Sequence, residues 1–295
     1  MIFLILSILS STSLFVIFKY VDRYGIRNFD VIIINYIIAS ILGFSISNYD
    51  PGFFPIYANP WFPYAITIGI LFVIGFVLIG KSSQKVGIAI TTVASKMSVI
   101  IPISFSLLYD PADHITNLKL IGIVTALFAV FFTVYRKRKI DFDPRNLYLP
   151  LILFLGMGVI DSIIKLAQFK YIEDGSSTLF SAILFSMAAI IGLATNILQG
   201  TSFRSLFKPR TLMLGSLLGI GNYGSIYFLI LALNHKTPSG TPIDGSVVFG
   251  INNIGIVGLS VILGLLVFRE KLTFLNWAGI VLSFVAIYIL SYTAT

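Results

Sequence analysis

The sequence predicts an all-α integral membrane protein of ten transmembrane helices, arranged as two inverted five-helix repeats. Three observations carry this prediction: an apolar composition, ten stretches of membrane-spanning length, and an internal repeat. Of the 295 residues, 57% are hydrophobic and 11% are charged, whereas about 25% are charged in a typical soluble domain. A soluble globule of this length cannot bury so much apolar surface, so we expect a single membrane domain over residues 1–295.

Ten stretches approach the roughly 20 apolar residues that a helix needs to cross a bilayer. The first resembles a secretion signal in length, but it lacks a preceding basic residue and a convincing cleavage site, so we interpret it as a retained helix. The loops between the stretches are too short to fold alone. In chain order, the predicted spans are approximately residues 2–18, 29–47, 62–80, 86–108, 117–135, 147–169, 176–198, 211–233, 243–267 and 273–293.

An internal repeat divides the chain into halves of residues 1–139 and 145–295. The segment from Gly87 aligns without a gap on the segment from Gly245, 158 positions later, and both run on through a polar loop into an apolar helix. A second, shorter repeat relates FKYVDRYG from Phe18 to FKYIEDG from Phe169. Because five is an odd number, the second half must enter the membrane from the opposite side. Substrate sites in such inverted repeats lie near the bilayer midplane, between the halves.

The positive charge is concentrated in alternate loops. The formal net charge is +8, and 15 of the 20 Lys and Arg residues fall on one side of the predicted topology, against three on the other. The positive-inside rule makes the rich side cytoplasmic and both termini outward in an inner (plasma) membrane. Membrane topology therefore explains the excess of Lys and Arg over Asp and Glu, so we expect no nucleic-acid partner. The absence of cysteine excludes disulfides and thiolate metal sites.

The fourth span ends in VIIPISFSLL, and the second half closes with FREKLTFLNWAGIVLSFVAIYIL. With these segments and its five-plus-five plan, the chain resembles the EamA-like ten-helix branch of the drug/metabolite transporter superfamily over essentially its whole length. The resemblance implies alternating-access transport of small metabolites, commonly their export. Members of this branch commonly keep both termini in the cytoplasm, whereas the loop charges here place them outside.

Lys96 is the most informative single residue, because it lies close to the middle of the fourth span. A lysine at that depth costs roughly 2.5–3.5 kcal/mol on insertion scales, so it must face a cavity or a partner. Thr92 and Ser95 place hydroxyls near it, and Pro102 should bend the helix and free a carbonyl. We predict that Lys96 binds substrate; a structural ion pair or a water-filled surrounding is the alternative.

The repeat mates of Ala94 and Ser95 are Asn252 and Asn253, so the two matching helices carry polar groups at the same depth. We predict that both asparagines bind substrate from the opposite repeat. Asn35, Asn222 and Tyr223 are further candidates to line the cavity. Their alternative role is an interhelical hydrogen bond, worth about 0.6 kcal/mol in membranes.

A second polar cluster lies on the sixth span, where Asp161, Lys165 and Gln168 share one helix face. Asp161 and Lys165 are spaced for an intrahelical ion pair, which would lower the cost of burying either. We predict a gate or coupling role for the three residues, with simple charge compensation as the alternative. The interior charges then sum to +1, which favours an anionic group, and a zwitterion or monocarboxylate fits better than a sugar phosphate.

Catalysis has little support in the sequence. His114 and His235 lack a carboxylate or hydroxyl partner at a recognisable spacing, and no zinc-protease, serine-hydrolase or P-loop motif occurs. We therefore expect no catalytic residues, no metal and no cofactor. Because nucleotide-binding motifs are also missing, we do not expect a self-contained primary pump.

The sequence predicts a secondary-active or facilitative transporter, by preference an exporter, of small organic metabolites such as amino acids or organic anions. Its expected partners are a small-molecule substrate and the lipid bilayer, and a homodimer is possible. Two alternatives from other classes remain: a flippase of lipid-linked intermediates, and a membrane scaffold that transports nothing.

Overall fold

The computed structural model describes residues 2–47, 55–86, 88–110, 113–134, 144–172, 176–236, 243–268 and 273–292. Every regular element in these ranges is a helix. Three short 3-10 helices cover Ile56–Ala58, Pro144–Leu147 and Phe203–Ser205. The α-helices are α1 Ile2–Arg23, α2 Asn28–Ile46, α3 Phe62–Lys85, α4 Ile88–Met97, α5 Ile100–Tyr109, α6 Asn117–Val134, α7 Tyr148–Tyr171, α8 Ser177–Leu198, α9 Pro209–Asn234, α10 Gly245–Phe268 and α11 Phe274–Tyr292.

Eight of the described helices are long and apolar enough to cross a membrane, namely α1, α2, α3, α7, α8, α9, α10 and α11. Two shorter apolar stretches cover residues 94–109 and 117–133. The all-helical class and the multi-pass membrane character predicted from composition are therefore confirmed. The count of ten spans and the inversion of the repeat stay predictions.

The fourth predicted span consists of two helices, α4 and α5, which meet at a turn at Ser98 and Val99. Pro102 lies four residues after Ser98, and a proline cannot donate to the carbonyl four residues before it and sterically displaces that carbonyl. The equivalent repeat position holds Ser260, and α10 is continuous there. The single proline difference thus accounts for the interruption in one of the two matching helices.

The helices form two compact packing units. The first packing unit contains Met1–Val73 and Ala167–Leu231, and the second contains Ile74–Leu166 and Ala232–Thr295. Each unit draws residues from both predicted repeat halves, so the sequence repeat and the packing units divide the chain differently. The predicted single domain and its halves stay predictions.

In the first packing unit, α2 packs along α8 and α9. Gly43 of α2 lies directly against Ala182 of α8, and the Ser40 and Ser186 hydroxyls form a hydrogen bond of 2.6 Å. Gly219 of α9 lies against the backbone carbonyl of Asn35. Small residues and hydroxyls at these crossings are how membrane helices approach closely, since lipid supplies no hydrophobic force between them.

In the second packing unit, α6 packs closely against α11. The Asn276 side-chain amide donates to the carbonyls of Phe132 and Thr133, at 3.1 and 3.0 Å. Gly279, one turn after Asn276, lies directly against the Thr133 backbone nitrogen. Ile254 of α10 packs against the alanines of this pair, so α10 is held against both helices.

Gly279→Ala is expected to destabilise the protein by about 1–3 kcal/mol, because the added methyl would overlap the Thr133 backbone and force the helices apart. Gly156→Ala on α7 is the matched control, since a methyl there meets nothing within 4 Å. That control should be neutral or stabilising by up to about 1 kcal/mol. Thermal unfolding of both variants in detergent measures the difference, and equal stabilities would contradict the α6–α11 contact.

Candidate substrate site

The interruption between α4 and α5 breaks the regular helical hydrogen bonding of the backbone in the middle of an apolar segment. Beyond the end of α4, the Val99 N–H donates to the Lys96 carbonyl at 3.5 Å, and the Ile101 N–H donates to the Ser98 carbonyl at 2.9 Å. Lys96 lies in the last turn of α4. The carbonyl end of a helix carries partial negative charge, which stabilises a cation placed there. The break therefore lowers the cost of a lysine at this depth.

The residues that accompany Lys96 in the sequence lie on the same short helix. Ser95 is half-buried, and its carbonyl accepts a hydrogen bond of 2.7 Å from the Ser98 hydroxyl. Thr92 belongs to α4, but its side chain lies outside the described part of the structure. Pro102 is buried in the first turn of α5, where it interrupts the span just after Lys96.

Asp161 on α7 is the carboxylate whose charge faces Lys96. Both side chains are half-buried. Gly158, one turn before Asp161, lies directly against the Ile101 side chain, so α7 runs beside the start of α5 at this level. Lys96 and Asp161 therefore influence each other electrostatically next to the helix interruption.

Lys165 forms its ion pair with Asp110, the residue that follows α5, at 3.1 Å. The spacing on α7 favours Asp161 as its partner, whereas Asp110 lies outside the predicted fourth span of residues 86–108. With Asp110 included, the two lysines and two carboxylates balance. The expected interior excess of one positive charge is therefore offset around these two lysines.

Asn252 and Asn253 lie on α10, which runs antiparallel to α5. Gly245 at the start of α10 lies against Ser106 and Lys165, and Gly250 contacts Ile103, so the two asparagines lie towards the start of α5. Asn252 is buried, and its side-chain oxygen has no hydrogen-bond partner among the described residues. Asn253 is half-buried.

Four predicted site residues belong to the first packing unit: Asn35, Asn222, Tyr223 and Gln168. The Asn35 side-chain oxygen and the Tyr223 hydroxyl are buried and lack a hydrogen-bond partner in the part of the chain that the structure describes. Tyr223 stacks on Tyr227 with ring centroids 5.5 Å apart. Asn222 is half-buried, and Gln168 is buried near the end of α7.

Unsatisfied buried polar atoms cost about 1–3 kcal/mol each. Three of the eight predicted substrate-binding residues carry such an atom, namely Asn35, Tyr223 and Asn252. Atoms of this kind are expected where a ligand or an ordered water supplies the missing hydrogen bond. The same feature occurs at Thr133, Ser177 and Ser260, which are not predicted site residues, so the polar lining stays a prediction.

A buried charge network in the second packing unit was missed in the sequence. The Lys119 ammonium donates to the Asp113 carboxylate at 2.8 Å, to the His114 carbonyl at 2.7 Å, and to Asp244. Asp113 also accepts hydrogen bonds from the Ser106 hydroxyl and from the backbone and hydroxyl of Ser246, at 2.6, 2.9 and 2.7 Å. The network ties the α5–α6 loop to the start of α10.

The two carboxylates of this network have opposite pKa shifts. Burial alone would raise the pKa of Asp113, but its hydrogen bonds from Lys119, Ser106 and Ser246 lower it below the usual value. Burial raises the pKa of Asp244, and the hydrogen bond from Lys119 only partly opposes that rise. Asp113 is therefore the carboxylate whose charge the fold stabilises.

Comparison with known proteins adds evidence on the fold. No protein-family model matches the sequence. The chain is similar to an uncharacterized protein of Haemophilus influenzae, with 29% identity over 303 residues that cover 98% of this chain and 97% of that protein. It is also similar to a protein of known crystal structure, with a TM-score of 0.76 at 13% sequence identity. That likeness covers 99% of this chain and 97% of the other, so the two share a fold from end to end.

Proposed function

We propose that this protein is a secondary-active or facilitative transporter of small organic metabolites that works by alternating access. The observation that carries the proposal is the interruption of the fourth span at Ser98 and Val99, with Lys96 before it and Asp161 facing it. Interrupted helices supply backbone groups to substrates and ions in transporters. An ionisable side chain within a span is by default a functional-site residue.

In this proposal, Lys96 binds the carboxylate of the substrate and Asp161 binds its ammonium group or carries a proton. Asn252 and Asn253 donate and accept hydrogen bonds, and Lys165 with Asp110 fixes the adjacent end of α5. Because the four charges balance, a zwitterion adds no net charge to the site. Amino acids are therefore the first substrate class, and organic anions the second, with a proton on Asp161 supplying the balance.

The finer topology belongs to the same proposal. The ten predicted spans would form two inverted repeats in an inner membrane, with both termini outward as the loop charges indicate. Export is the direction that the resemblance to drug/metabolite transporters implies. The substrate-binding role of Asn35, Asn222 and Tyr223 and the gating role of Gln168 stay predictions from the sequence.

The decisive test is flux in proteoliposomes. Purified protein is reconstituted, and counterflow of labelled amino acids and organic acids is measured against protein-free liposomes. Saturable counterflow of an amino acid supports the proposal. Translocation of lipid-linked intermediates without solute flux would establish the flippase alternative, and neither activity, together with a copurifying membrane partner, would establish the scaffold.

A further inference from the structure

A basic pocket lies in the first packing unit, between the α1–α2 turn and the loop that joins α8 to α9. Its cavity is about 710 Å³ in volume. Arg27, Lys208 and Arg210 line it, with Asp30 as the single lining carboxylate. Asp30 is engaged by Arg27, at 3.4 Å. With three basic side chains against one carboxylate, the pocket lining carries a net positive charge.

The basic side chains of the pocket differ in how they are held. Arg27 donates to Gln199 at 2.7 Å and to Asn196 at 3.4 Å, which fixes its guanidinium. The Arg210 guanidinium lies over the Tyr24 ring, 5.1 Å from its centroid. Lys208 is exposed and forms no ion pair within the described ranges. A preorganised arginine beside an uncommitted lysine suits an anion that accepts several hydrogen bonds.

Hydroxyl groups complete the donor set. Thr201, Ser202 and Thr211 also line the pocket, as does Ser205, whose hydroxyl already donates to the Ser202 carbonyl. The helix α9, of 26 residues, begins there at Pro209. Hydroxyls, guanidinium groups and the N–H groups at a helix start together match the oxygens of a phosphate. The pocket therefore has the chemistry of a phosphate site.

The same loop carries exposed apolar side chains. Leu198, Phe203 and Phe207 are 87%, 43% and 69% exposed. Aromatic residues next to basic ones are typical of the membrane–water interface, where basic pockets bind anionic lipid headgroups. A soluble phosphate compound would not need this apolar border, whereas the acyl chains of a lipid would contact it.

We propose that this pocket binds the phosphate headgroup of an anionic phospholipid, with Lys208 and Arg210 as its charged ligands. The site uses none of the residues assigned to substrate binding, so it stands whether or not the chain is a transporter. Its loops belong to the side that the charge distribution predicts to be cytoplasmic, where anionic lipids attract basic groups.

The test is lipid titration of delipidated protein in detergent, followed by native mass spectrometry. Phosphatidylglycerol is the probe, phosphatidylcholine the neutral control, and glycerol phosphate the soluble competitor. The variant is Lys208→Gln with Arg210→Gln. The matched control is Arg23→Gln with Arg204→Gln, which removes the same charge from exposed positions that do not line the pocket.

Wild type and the matched control are expected to bind phosphatidylglycerol alike, and the pocket variant about 25-fold more weakly, since each charge contributes about fivefold. Lys208→Gln alone, at an exposed position, should show about fivefold weakening if the double variant does not fold. Equal weakening in pocket variant and control would overturn the proposal in favour of general surface charge. Full competition by glycerol phosphate at equal concentration would overturn the lipid assignment.

Discussion

Lys96→Ala is expected to weaken substrate affinity at least about 30-fold, because the variant loses the proposed ion pair between Lys96 and the substrate carboxylate, and truncating one partner of such a pair in a binding site costs about 2–5 kcal/mol. Thermal unfolding measures this across a panel of amino acids, organic acids, sugars, polyamines and lipid headgroups. A ligand present at 100 times its dissociation constant stabilises the protein by about 2.7 kcal/mol. The wild-type protein should show that shift with at least one amino acid, and Lys96→Ala should lose it.

The matched control is Lys85→Ala, the same change at an exposed position at the end of α3 in the same packing unit. Its ligand response should equal that of the wild type. Lys96→Arg retains the positive charge, and it serves as the second variant because it should disturb folding less than Lys96→Ala. A carboxylate ligand that protects wild type and Lys96→Ala equally would leave the transporter proposal standing and remove Lys96 as its anchor.

Asp161→Asn separates the two substrate classes. A zwitterion loses the partner of its ammonium group in this variant, so amino acids should no longer protect. A monocarboxylate needs Asp161 in its neutral form, which asparagine imitates, so its protection should persist. Protection by amino acids that is unchanged in Asp161→Asn would assign the ammonium group to another residue.

The helices were predictable where an apolar stretch is continuous and ends at charged or turn-forming residues. The second span was predicted at residues 29–47 and is observed at Asn28–Ile46. The bend in the fourth span was also predictable, since Pro102 removes a donor whatever the surrounding packing is. Its exact form, two helices joined at Ser98 and Val99, depends on the tertiary contacts of α5.

The partners of the buried charges were not predictable. A sequence displays pairs three or four residues apart on one helix, which is why Lys165 was placed with Asp161. Asp110 lies 55 positions from Lys165, and Asp244 lies 125 positions from Lys119. Such pairs form only when helices distant in the chain pack together. The acidic loop before Lys119 was the available signal, but it identifies no partner.

Asp113→Asn is expected to destabilise the protein by about 3–5 kcal/mol, the usual cost of removing one partner from a buried ion pair. Asp113 is fully buried and accepts hydrogen bonds from Lys119, Ser106 and Ser246. Asp244→Asn is the matched control: the same change on the second carboxylate of Lys119, which is 24% exposed. It should cost far less, since the fold does not favour the charged form of Asp244. Equal losses in the two variants would show that Lys119 uses both carboxylates equivalently.

The pH dependence of stability should separate the same two residues. The pKa of folded Asp113 lies below its ordinary value of 3.8, so its stabilisation is complete above that value and is lost as the pH falls through the lower folded pKa. The pKa of folded Asp244 lies above 3.8, so stability rises as the pH falls through that higher value and levels off once the unfolded carboxylate is also protonated. The measurement is the thermal unfolding midpoint from about pH 3 to about pH 8. In Asp113→Asn, the midpoint should no longer fall at acidic pH. In Asp244→Asn, it should no longer rise on mild acidification. A wild-type acid decline that persists in Asp113→Asn would mean that another carboxylate, and not this network, sets the acid limit of the fold.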